Sequence, residues 1–339
     1  MTLPTGSSLP IFKHCGYSFR DDVKVPEIRT AQDDEEGGAG TSIHDAIADT
    51  FENKPLPSDP ETRLLVQNVL ERIGHDTVLD YESAWAWSPL LGMSKKLGTR
   101  IGREYAKHGA PDGSICLTLD LVLLRGDELV VVDFKSGYGT HTDDVAENWQ
   151  LKGGALVLLD EAADRELSLR TELWYPRPDR VWVESAPISL FDLEEFKREL
   201  LVRLKALPKA VAIAGEHCRY CKACGACPAT EAALLGFKSM GLDVEGNYRW
   251  STEIADIGHA EWMLDRLTMV KQATELIETS LKAYSDKNNG IATSDGKVWR
   301  KVPGKRSGLN MPAVKQALGD RLAEFTVQHE FNSYRKVKK

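Results

Sequence analysis

The sequence lacks the features of membrane-spanning and secreted proteins. No apolar run approaches the roughly 20 residues that a helix needs to cross a bilayer. Residues 1–10 do not show the basic and then apolar order of a secretion signal. The chain also contains no internal repeat and no low-complexity stretch. We therefore expect a cytoplasmic protein that has no membrane partner.

The sequence also lacks an excess of basic residues. Its 43 lysines and arginines stand against 51 acidic residues, which gives a net charge of −8. This balance argues against a generally basic surface for nucleic acid. Basic residues nevertheless collect near the C-terminus, in a tail that either binds a polyanion or is simply solvated. These residues are Lys297, Arg300, Lys301, Lys305, Arg306, Arg335, Lys336, Lys338 and Lys339.

Cysteine is scarce outside one short segment. Four of the six cysteines lie within ten residues, at positions 218, 221, 224 and 227. In a cytoplasmic protein such a cluster indicates a metal site rather than disulfides. The spacing is short for a zinc ribbon and, with Pro228 after the last cysteine, is closer to a ferredoxin-type iron–sulfur run. On the cysteines alone, a zinc site and an iron–sulfur electron carrier both remain open.

Two apolar strands joined by a polar turn carry three charged residues. The strands span residues 117–137 and the turn is at residues 125–127. Asp133 and Lys135 are two apart and share a strand face, and the hairpin can bring Asp120 beside Asp133. Two carboxylates in an apolar sheet repel each other and are costly to desolvate, and a divalent cation removes both costs. The pattern predicts a metal site, unless these residues are merely strand ends in water.

Periodicity predicts the elements around this hairpin. His44 lies on the apolar face of a helix, where a histidine is more often a core residue than a metal ligand. Gln150 lies on a helix over residues 143–159. The apolar stripe of a long helix over residues 257–284 predicts core packing, and residues 92–112 predict an irregular basic loop. The tail predicts a strand, a helix and a strand over residues 297–302, 312–318 and 325–331.

Several motifs follow one another in a characteristic order along the chain. They are Ser8-Leu9…Cys15, Gly40-Thr41…His44, Asp120, Asp133-Phe134-Lys135, Gln150 and Cys218-x2-Cys221-x5-Cys227. Over residues 7–230 this set resembles the RecB-type PD-(D/E)XK nucleases. It is most similar to their iron–sulfur branch, which includes the AddB nuclease domain and CRISPR-associated exonucleases, and within it to phage and prophage members.

Two positions depart from the pattern of that family. Gly154 stands where a tyrosine is usual, four residues after Gln150. Leu117 stands where a glycine is usual, three residues before Asp120. Both departures concern the positioning of substrate more than the binding of metal.

The resemblance implies a fold and a domain division. The expected fold is α/β, with a restriction-endonuclease-like core in which helices flank a central mixed sheet. A helical lobe that carries the cysteines and a small C-terminal α/β tail complete it. The expected division is a nuclease domain over residues 1–230, a helical extension over residues 231–290 and a basic tail over residues 291–339.

The resemblance also assigns roles to the residues of the site. The implied ligands of Mg²⁺ or Mn²⁺ are His44, Asp120, Asp133 and the carbonyl of Phe134, with His44 favouring Mn²⁺. Lys135 would position the attacking water, while Gln150 would hold Lys135 or the DNA backbone. Glu82 is a further candidate, for a second metal or a supporting contact. The implied ligands of a four-iron cluster are Cys15, Cys218, Cys221 and Cys227, which leaves Cys224 as an extra thiol.

The implied activity is metal-dependent cleavage of DNA, most specifically by an exonuclease in phage-type recombination or repair. The expected partners are DNA and a single-strand annealing or single-strand-binding protein, in the host cytoplasm if the chain is phage-encoded. Two other functions remain open: a DNA-binding scaffold that keeps the fold but cuts nothing, and an iron–sulfur redox protein. Zinc at the cysteines is the alternative to iron.

Overall fold

A mixed sheet of six strands carries helices on both of its faces. The computed structural model describes residues 3–23, 43–135, 143–213, 215, 217–218, 221, 223, 227–232, 254, 256–293, 297–301 and 317. None of the helices in these ranges is both long and apolar enough to cross a membrane. The predicted helix over residues 312–318 and strand over residues 325–331 fall outside this description, apart from residue 317, and the predicted domain division stays a prediction.

The sheet combines antiparallel and parallel pairing. Its strands are β1 (Thr77–Ser88), β2 (Met93–Thr99), β3 (Ile115–Arg125), β4 (Glu128–Phe134), β5 (Ser168–Pro176) and β6 (Val181–Ile188). Their order across the sheet is β2-β1-β3-β4-β5-β6, and all neighbours are antiparallel except β4 and β5. The prediction of a restriction-endonuclease-like core with a central mixed sheet is confirmed.

Helices connect and cover these strands. They are α1 (Leu9–His14), α2 (residues 43–51), α3 (Pro60–Ile73), α4 (Trp149–Val157), α5 (Leu159–Asp164), α6 (Leu190–Ala206), α7 (residues 228–232) and α8 (Ile257–Asn288). Short polar side chains begin several of them, as N-cap residues do. Asp59 accepts a hydrogen bond from the Thr62 N–H at the start of α3, and Ser189 forms a capping box with Asp192 at the start of α6. A short hairpin of β7 (Ile291–Ala292) and β8 (Val298–Trp299) follows α8.

Each face of the sheet packs against its own helices. On one face Trp149 of α4 and Phe196 of α6 are buried with residues of α1. On the other face Ile47 of α2 and Val66 and Val69 of α3 are buried against the central strands. The sheet is therefore the middle layer of three, and α2 and α4 approach it from opposite sides.

The side chains of β3 change faces at Asp120. Leu119 packs with the helices α1, α4 and α6, whereas Leu121, two residues later, packs with α2 and α3. In a regular strand residues two apart share a face. The irregularity leaves Asp120 between the two apolar clusters, at the place where groups from both layers can reach it.

The predicted loop over residues 92–112 was partly wrong. Residues Met93–Thr99 form strand β2, which pairs with β1 at the edge of the sheet. An edge strand has one neighbour, and the side chains of β2 are mostly exposed or half-exposed. Polar residues such as Lys95 and Lys96 therefore occupy it, and the sequence shows no apolar alternation.

The long helix is confirmed as α8, but the prediction that its apolar stripe packs into a core is wrong. Leu267, Ile277, Leu281 and Tyr284 are 42, 60, 45 and 60% exposed. Periodicity shows that the apolar residues share a face, and it does not show whether another element covers that face.

Packing explains both departures from the family pattern. A Cβ atom at Gly154 would lie 2.9 Å from Val131 Cγ1 and 3.0 Å from Leu119 Cδ2, because α4 lies directly on the sheet. A tyrosine there has no space in this backbone. Leu117 in turn fills the space beside Gly6, where an added Cβ would lie 2.7 Å from Leu117 Cβ.

The substitution Gly154→Ala is expected to lower the free energy of unfolding by about 1 kcal/mol. Overpacking costs about 1–3 kcal/mol, and the better helix propensity of alanine returns only about 1 kcal/mol. Urea denaturation of the variant and the wild type measures the difference, provided that the two proteins unfold with the same m-value. A more stable variant would show that α4 can move away from the sheet without loss.

Candidate active site

Three neighbouring strands each bring one carboxylate to the same end of the sheet. The register of β1 with β3 places Glu82 opposite Asp120. One step beyond the last paired residues of β3 and β4, Asp133 lies on the other side of Asp120. The side chains of Glu82, Asp120 and Asp133 are 21, 11 and 9% exposed. Three acidic groups thus share a largely buried site.

Asp120 lies where β3 and β4 separate. The regular pairing of these strands ends at Leu121 and Val132. Beyond it, Asp120 Oδ2 accepts a hydrogen bond of 2.7 Å from the Phe134 N–H and so satisfies a backbone donor at the end of the ladder. The Phe134 ring is buried in the core on the α2 side of the sheet. The role of its carbonyl as a metal ligand stays a prediction.

His44 reaches the carboxylates from the opposite layer. Buried Ile47 and Ala48 anchor α2 to the sheet, and His44 Nδ1 lies 3.4 Å from Glu82 Oε1 and 3.6 Å from Asp120 Oδ1. Burial alone would lower the pKa of His44, but the hydrogen bond to Glu82 and the nearby carboxylate charges outweigh it and raise the pKa to about 9. In the absence of metal the imidazole is therefore protonated at neutral pH.

Glu82 lies with His44 and Asp120 in the group whose ligand atoms are close enough to hold one metal ion. The sequence predicts His44, Asp120 and Asp133 as ligands and gives Glu82 only a second-metal or supporting role. Its backbone has φ = 41°, in the left-handed region that residues with a Cβ rarely adopt. Such strain often accompanies functional sites. Nothing in the sequence signals this backbone conformation, and Glu82 otherwise resembles any polar residue of a half-exposed strand.

Asp133, Lys135 and Gln150 form a second, connected group. Lys135 Nζ lies 2.7 Å from Asp133 Oδ2 and donates a 3.1 Å hydrogen bond to Gln150 Oε1. Gln150 Nε2 donates to Asp133 Oδ1 at 2.5 Å. Asn148 caps α4 by accepting from the N–H groups of Gln150 and Leu151, which fixes Gln150 at the first turn beside the site.

Lys135 keeps its proton in this setting. Burial alone would lower the pKa of its ammonium group, but the charges of Asp133 and Asp120 and the hydrogen bond to Asp133 raise the pKa above its usual value. The side chain can therefore donate hydrogen bonds and stabilise negative charge, and it cannot accept a proton near neutral pH.

The donor set fits a hard divalent cation. His44, Glu82 and Asp120 can place one ligand atom each within 4.8 Å of one another. Among the described residues, the Lys135 ammonium at 2.7 Å is the one close polar contact found for buried Asp133 Oδ2, which leaves this oxygen with capacity for a further ligand. Burial and the charge of Asp133 raise the pKa of Asp120 to about 7. A bound cation would offset the repulsion between these two carboxylates. Carboxylate oxygens with one imidazole nitrogen suit Mg²⁺ or Mn²⁺.

The structure brings the N-terminal cysteine to the cysteine segment. Cys15 Sγ is 3.9 Å from the Val211 carbonyl oxygen, and both Cys15 and Cys218 are buried. Burial raises the pKa of Cys221, and the nearby thiols of Cys15 and Cys227 raise it further. The Cys221 N–H donates to the Cys218 carbonyl at 3.1 Å. Cys224 lies outside the described residues.

The pKa values of His44 and Asp120 predict opposite effects of pH with and without metal. Without metal, the contribution of His44 to stability is complete below its unfolded pKa of about 6.5 and is lost as pH rises through about 9. That of Asp120 is complete below 3.8 and is lost as pH rises through about 7. With Mn²⁺, binding must release these protons, so apparent affinity rises by up to about tenfold per pH unit for each proton.

Urea denaturation of wild type and His44→Gln at pH 6.5 and pH 9, with and without Mn²⁺, measures both effects. Glutamine carries no titrating proton, so the stability advantage of metal-free wild type over the variant should shrink towards pH 9. The stabilisation of the wild type by Mn²⁺ should grow over the same range. A stability difference between metal-free wild type and His44→Gln that stays the same from pH 6.5 to pH 9 would contradict the placement of His44 beside the carboxylates.

The comparison with known proteins agrees with this geometry. The family model of the PD-(D/E)XK nuclease superfamily matches residues 5–228, which include all the residues of the two groups described above and the four cysteines 15, 218, 221 and 227. Among curated proteins, none matches the sequence significantly. The match covers well over half of the chain, and the chain therefore belongs to the PD-(D/E)XK nuclease superfamily.

Proposed function

We propose that the protein is a divalent-metal-dependent DNA nuclease, and more specifically an exonuclease of phage-type recombination or repair. The observation that carries the nuclease is the position of the Asp133–Lys135–Gln150 group beside the His44–Glu82–Asp120 group. The His44–Glu82–Asp120 group can bind a cation, and the Asp133–Lys135–Gln150 group can position a water molecule beside that cation. The exonuclease and its pathway rest on the sequence resemblance.

The residues divide the work of hydrolysis between them. His44, Glu82, Asp120 and Asp133 would hold Mg²⁺ or Mn²⁺, which when bound lowers the pKa of a water and offsets charge on the phosphate. The Lys135 ammonium donates hydrogen bonds towards the space beside Asp133 and there orients water and stabilises developing negative charge. Gln150 accepts from Lys135 and donates to Asp133, so it holds both in one geometry.

The proposed partners follow from the substrate. DNA is the substrate that the superfamily implies. A recombination exonuclease leaves a single strand, so a single-strand annealing or single-strand-binding protein is the proposed protein partner. The basic C-terminal tail is the segment proposed to contact the DNA backbone. Its lysines and arginines can pair with phosphates, whereas the chain as a whole is acidic.

The substitutions Asp133→Asn and Lys135→Met are each expected to lower the rate of DNA cleavage by a factor of about 10²–10³. Asp133→Asn preserves the shape of the side chain and removes its charge, and Lys135→Met removes the donor. The measurement is cleavage of end-labelled linear DNA with Mg²⁺ and with Mn²⁺. Asp127→Asn is the matched control, because Asp127 lies at the opposite end of the same hairpin and should leave the rate unchanged.

Equal rates for Asp133→Asn and wild type would refute the catalytic assignment. A wild type that binds DNA tightly and cuts nothing with either metal would favour the non-cleaving scaffold. Gly154 replaces the usual tyrosine of the family, and this departure favours a scaffold because it concerns the positioning of substrate. It has a packing explanation in the contact of α4 with Val131 and Leu119.

We further propose that Cys15, Cys218, Cys221 and Cys227 hold a four-iron, four-sulfur cluster with a structural role. The proximity of Cys15, Cys221 and Cys227 supports a site that joins the beginning and end of the nuclease domain. The buried Cys221 thiol, whose pKa is raised, becomes a thiolate readily only beside a cation, which an iron cluster or zinc supplies. An iron–sulfur redox protein would leave Asp133 and Lys135 without a function.

The substitution Cys221→Ser is expected to remove most of the iron and sulfide from anaerobically purified protein and to lower its melting temperature. Cys116→Ser and Cys224→Ser are the controls and should retain the wild-type iron content. Elemental analysis measures iron, sulfide and zinc together. Stoichiometric zinc without iron in the wild type would replace the cluster by a zinc site.

A further inference from the structure

Arg100 connects the two elements that carry His44 and Glu82. It lies directly after β2, and its N–H donates a hydrogen bond of 2.8 Å to the Glu82 carbonyl oxygen. This bond continues the β1–β2 pairing beyond its last partners, Ser83 and Thr99. The backbone of Arg100 therefore holds β1 at the residue that enters the metal site.

The side chain of Arg100 reaches across to α2. Its guanidinium lies 2.5 Å from Asp49 Oδ1, 3.2 Å from Glu52 Oε2 and 3.4 Å from Asp45 Oδ1. Asp45 directly follows His44, and Asp49 lies just over one turn later. Arg100 is 25% exposed, so these pairs are partly shielded from water. One residue thus holds α2 through its side chain and β1 through its backbone.

Two strained residues meet in this contact. Glu82 has φ = 41° and Arg100 has φ = 55°, and both values are in the left-handed region. The hydrogen bond between them joins one unfavourable backbone conformation to another. Strained conformations persist where the surrounding structure fixes them, and they concentrate at functional sites.

We infer that Arg100 is a positioning residue, which sets the separation of His44 from Glu82 and so preforms the metal site. The inference rests on the proposed function, because it assumes that these two side chains bind a cation. Among the described contacts, none joins the Arg100 side chain to a ligand atom of His44, Glu82 or Asp120. Its effect passes through α2 and through the backbone of β1.

Lys54 provides a matched comparison. Its ammonium lies 2.9 Å from Asp49 Oδ1 and 2.6 Å from Glu52 Oε2, so it pairs with two of the same acids. Its side chain is 51% exposed, and surface ion pairs of this kind contribute little to stability. No described contact joins Lys54 to Glu82. Loss of Lys54 removes a positive charge beside α2 and leaves the contacts of Arg100 with α2 and β1 in place.

The test compares Mn²⁺ binding by DNA-free wild type, Arg100→Ala, Arg100→Lys and Lys54→Ala, measured by calorimetry and by Mn²⁺ electron paramagnetic resonance. Arg100→Ala is expected to weaken binding by about tenfold or more, the loss typical of residues that orient metal ligands. Arg100→Lys should bind more tightly than Arg100→Ala and less tightly than wild type. Lys54→Ala should bind as wild type does.

Cleavage assays add a second reading. The Mn²⁺ concentration for half-maximal rate should rise in Arg100→Ala by the same factor as the dissociation constant, while kcat at saturating Mn²⁺ stays near the wild-type value. Equal Mn²⁺ binding by Arg100→Ala and Lys54→Ala would overturn the inference. If Arg100→Ala fails to fold, Arg100→Lys decides, and wild-type affinity in that variant would overturn it as well.

The same experiment separates the inference from the nuclease proposal. A wild type that binds Mn²⁺ and cuts no DNA refutes the nuclease, and the binding series still decides the role of Arg100. A wild type that cuts DNA while Arg100→Ala binds Mn²⁺ equally well refutes only the role of Arg100. A wild type that binds no Mn²⁺ refutes both.

Discussion

Repulsion between buried carboxylates is the constraint on which this site depends. Glu82, Asp120 and Asp133 lie on three adjacent strands, and burial removes the water that would otherwise separate their charges. Two cationic side chains flank them: His44 beside Glu82 and Asp120, and Lys135 beside Asp133. Burial and the charge of Asp133 raise the pKa of Asp120, while the hydrogen bond to Glu82 and the nearby carboxylate charges raise that of His44. The metal-free protein therefore offsets part of the remaining charge by holding protons. A divalent cation can take the place of those protons.

The three-layer fold makes this crowding possible. His44 comes from α2 on one face of the sheet and Gln150 from α4 on the other, and they meet at Asp120 and Asp133 because β3 and β4 separate there. The close approach of α4 requires Gly154, which has no side chain to keep the helix away from Val131 and Leu119. The position of each group at the site therefore depends on packing some distance from it.

The sequence identified the parts of the site that interrupt an apolar pattern. Asp120, Asp133 and Lys135 stand out because charged residues in buried strands demand an explanation. His44 and Gln150 became candidates only through the family resemblance, since a polar residue on a helix has several ordinary explanations. Glu82 lies beside His44 and Asp120 with its backbone in a left-handed conformation, which no sequence pattern reveals. The prediction that the apolar stripe of α8 packs into a core is wrong, because periodicity identifies a face and does not show whether another element covers it.

Anomalous diffraction from crystals grown with Mn²⁺ tests the central claim most directly, because manganese can be located without assumptions about activity. We predict a manganese peak within about 2.5 Å of His44 Nδ1 and of carboxylate oxygens from Glu82, Asp120 or Asp133. Manganese density elsewhere among residues 5–228, away from the four cysteines proposed to bind iron and with His44 and these carboxylates unbound, would contradict it.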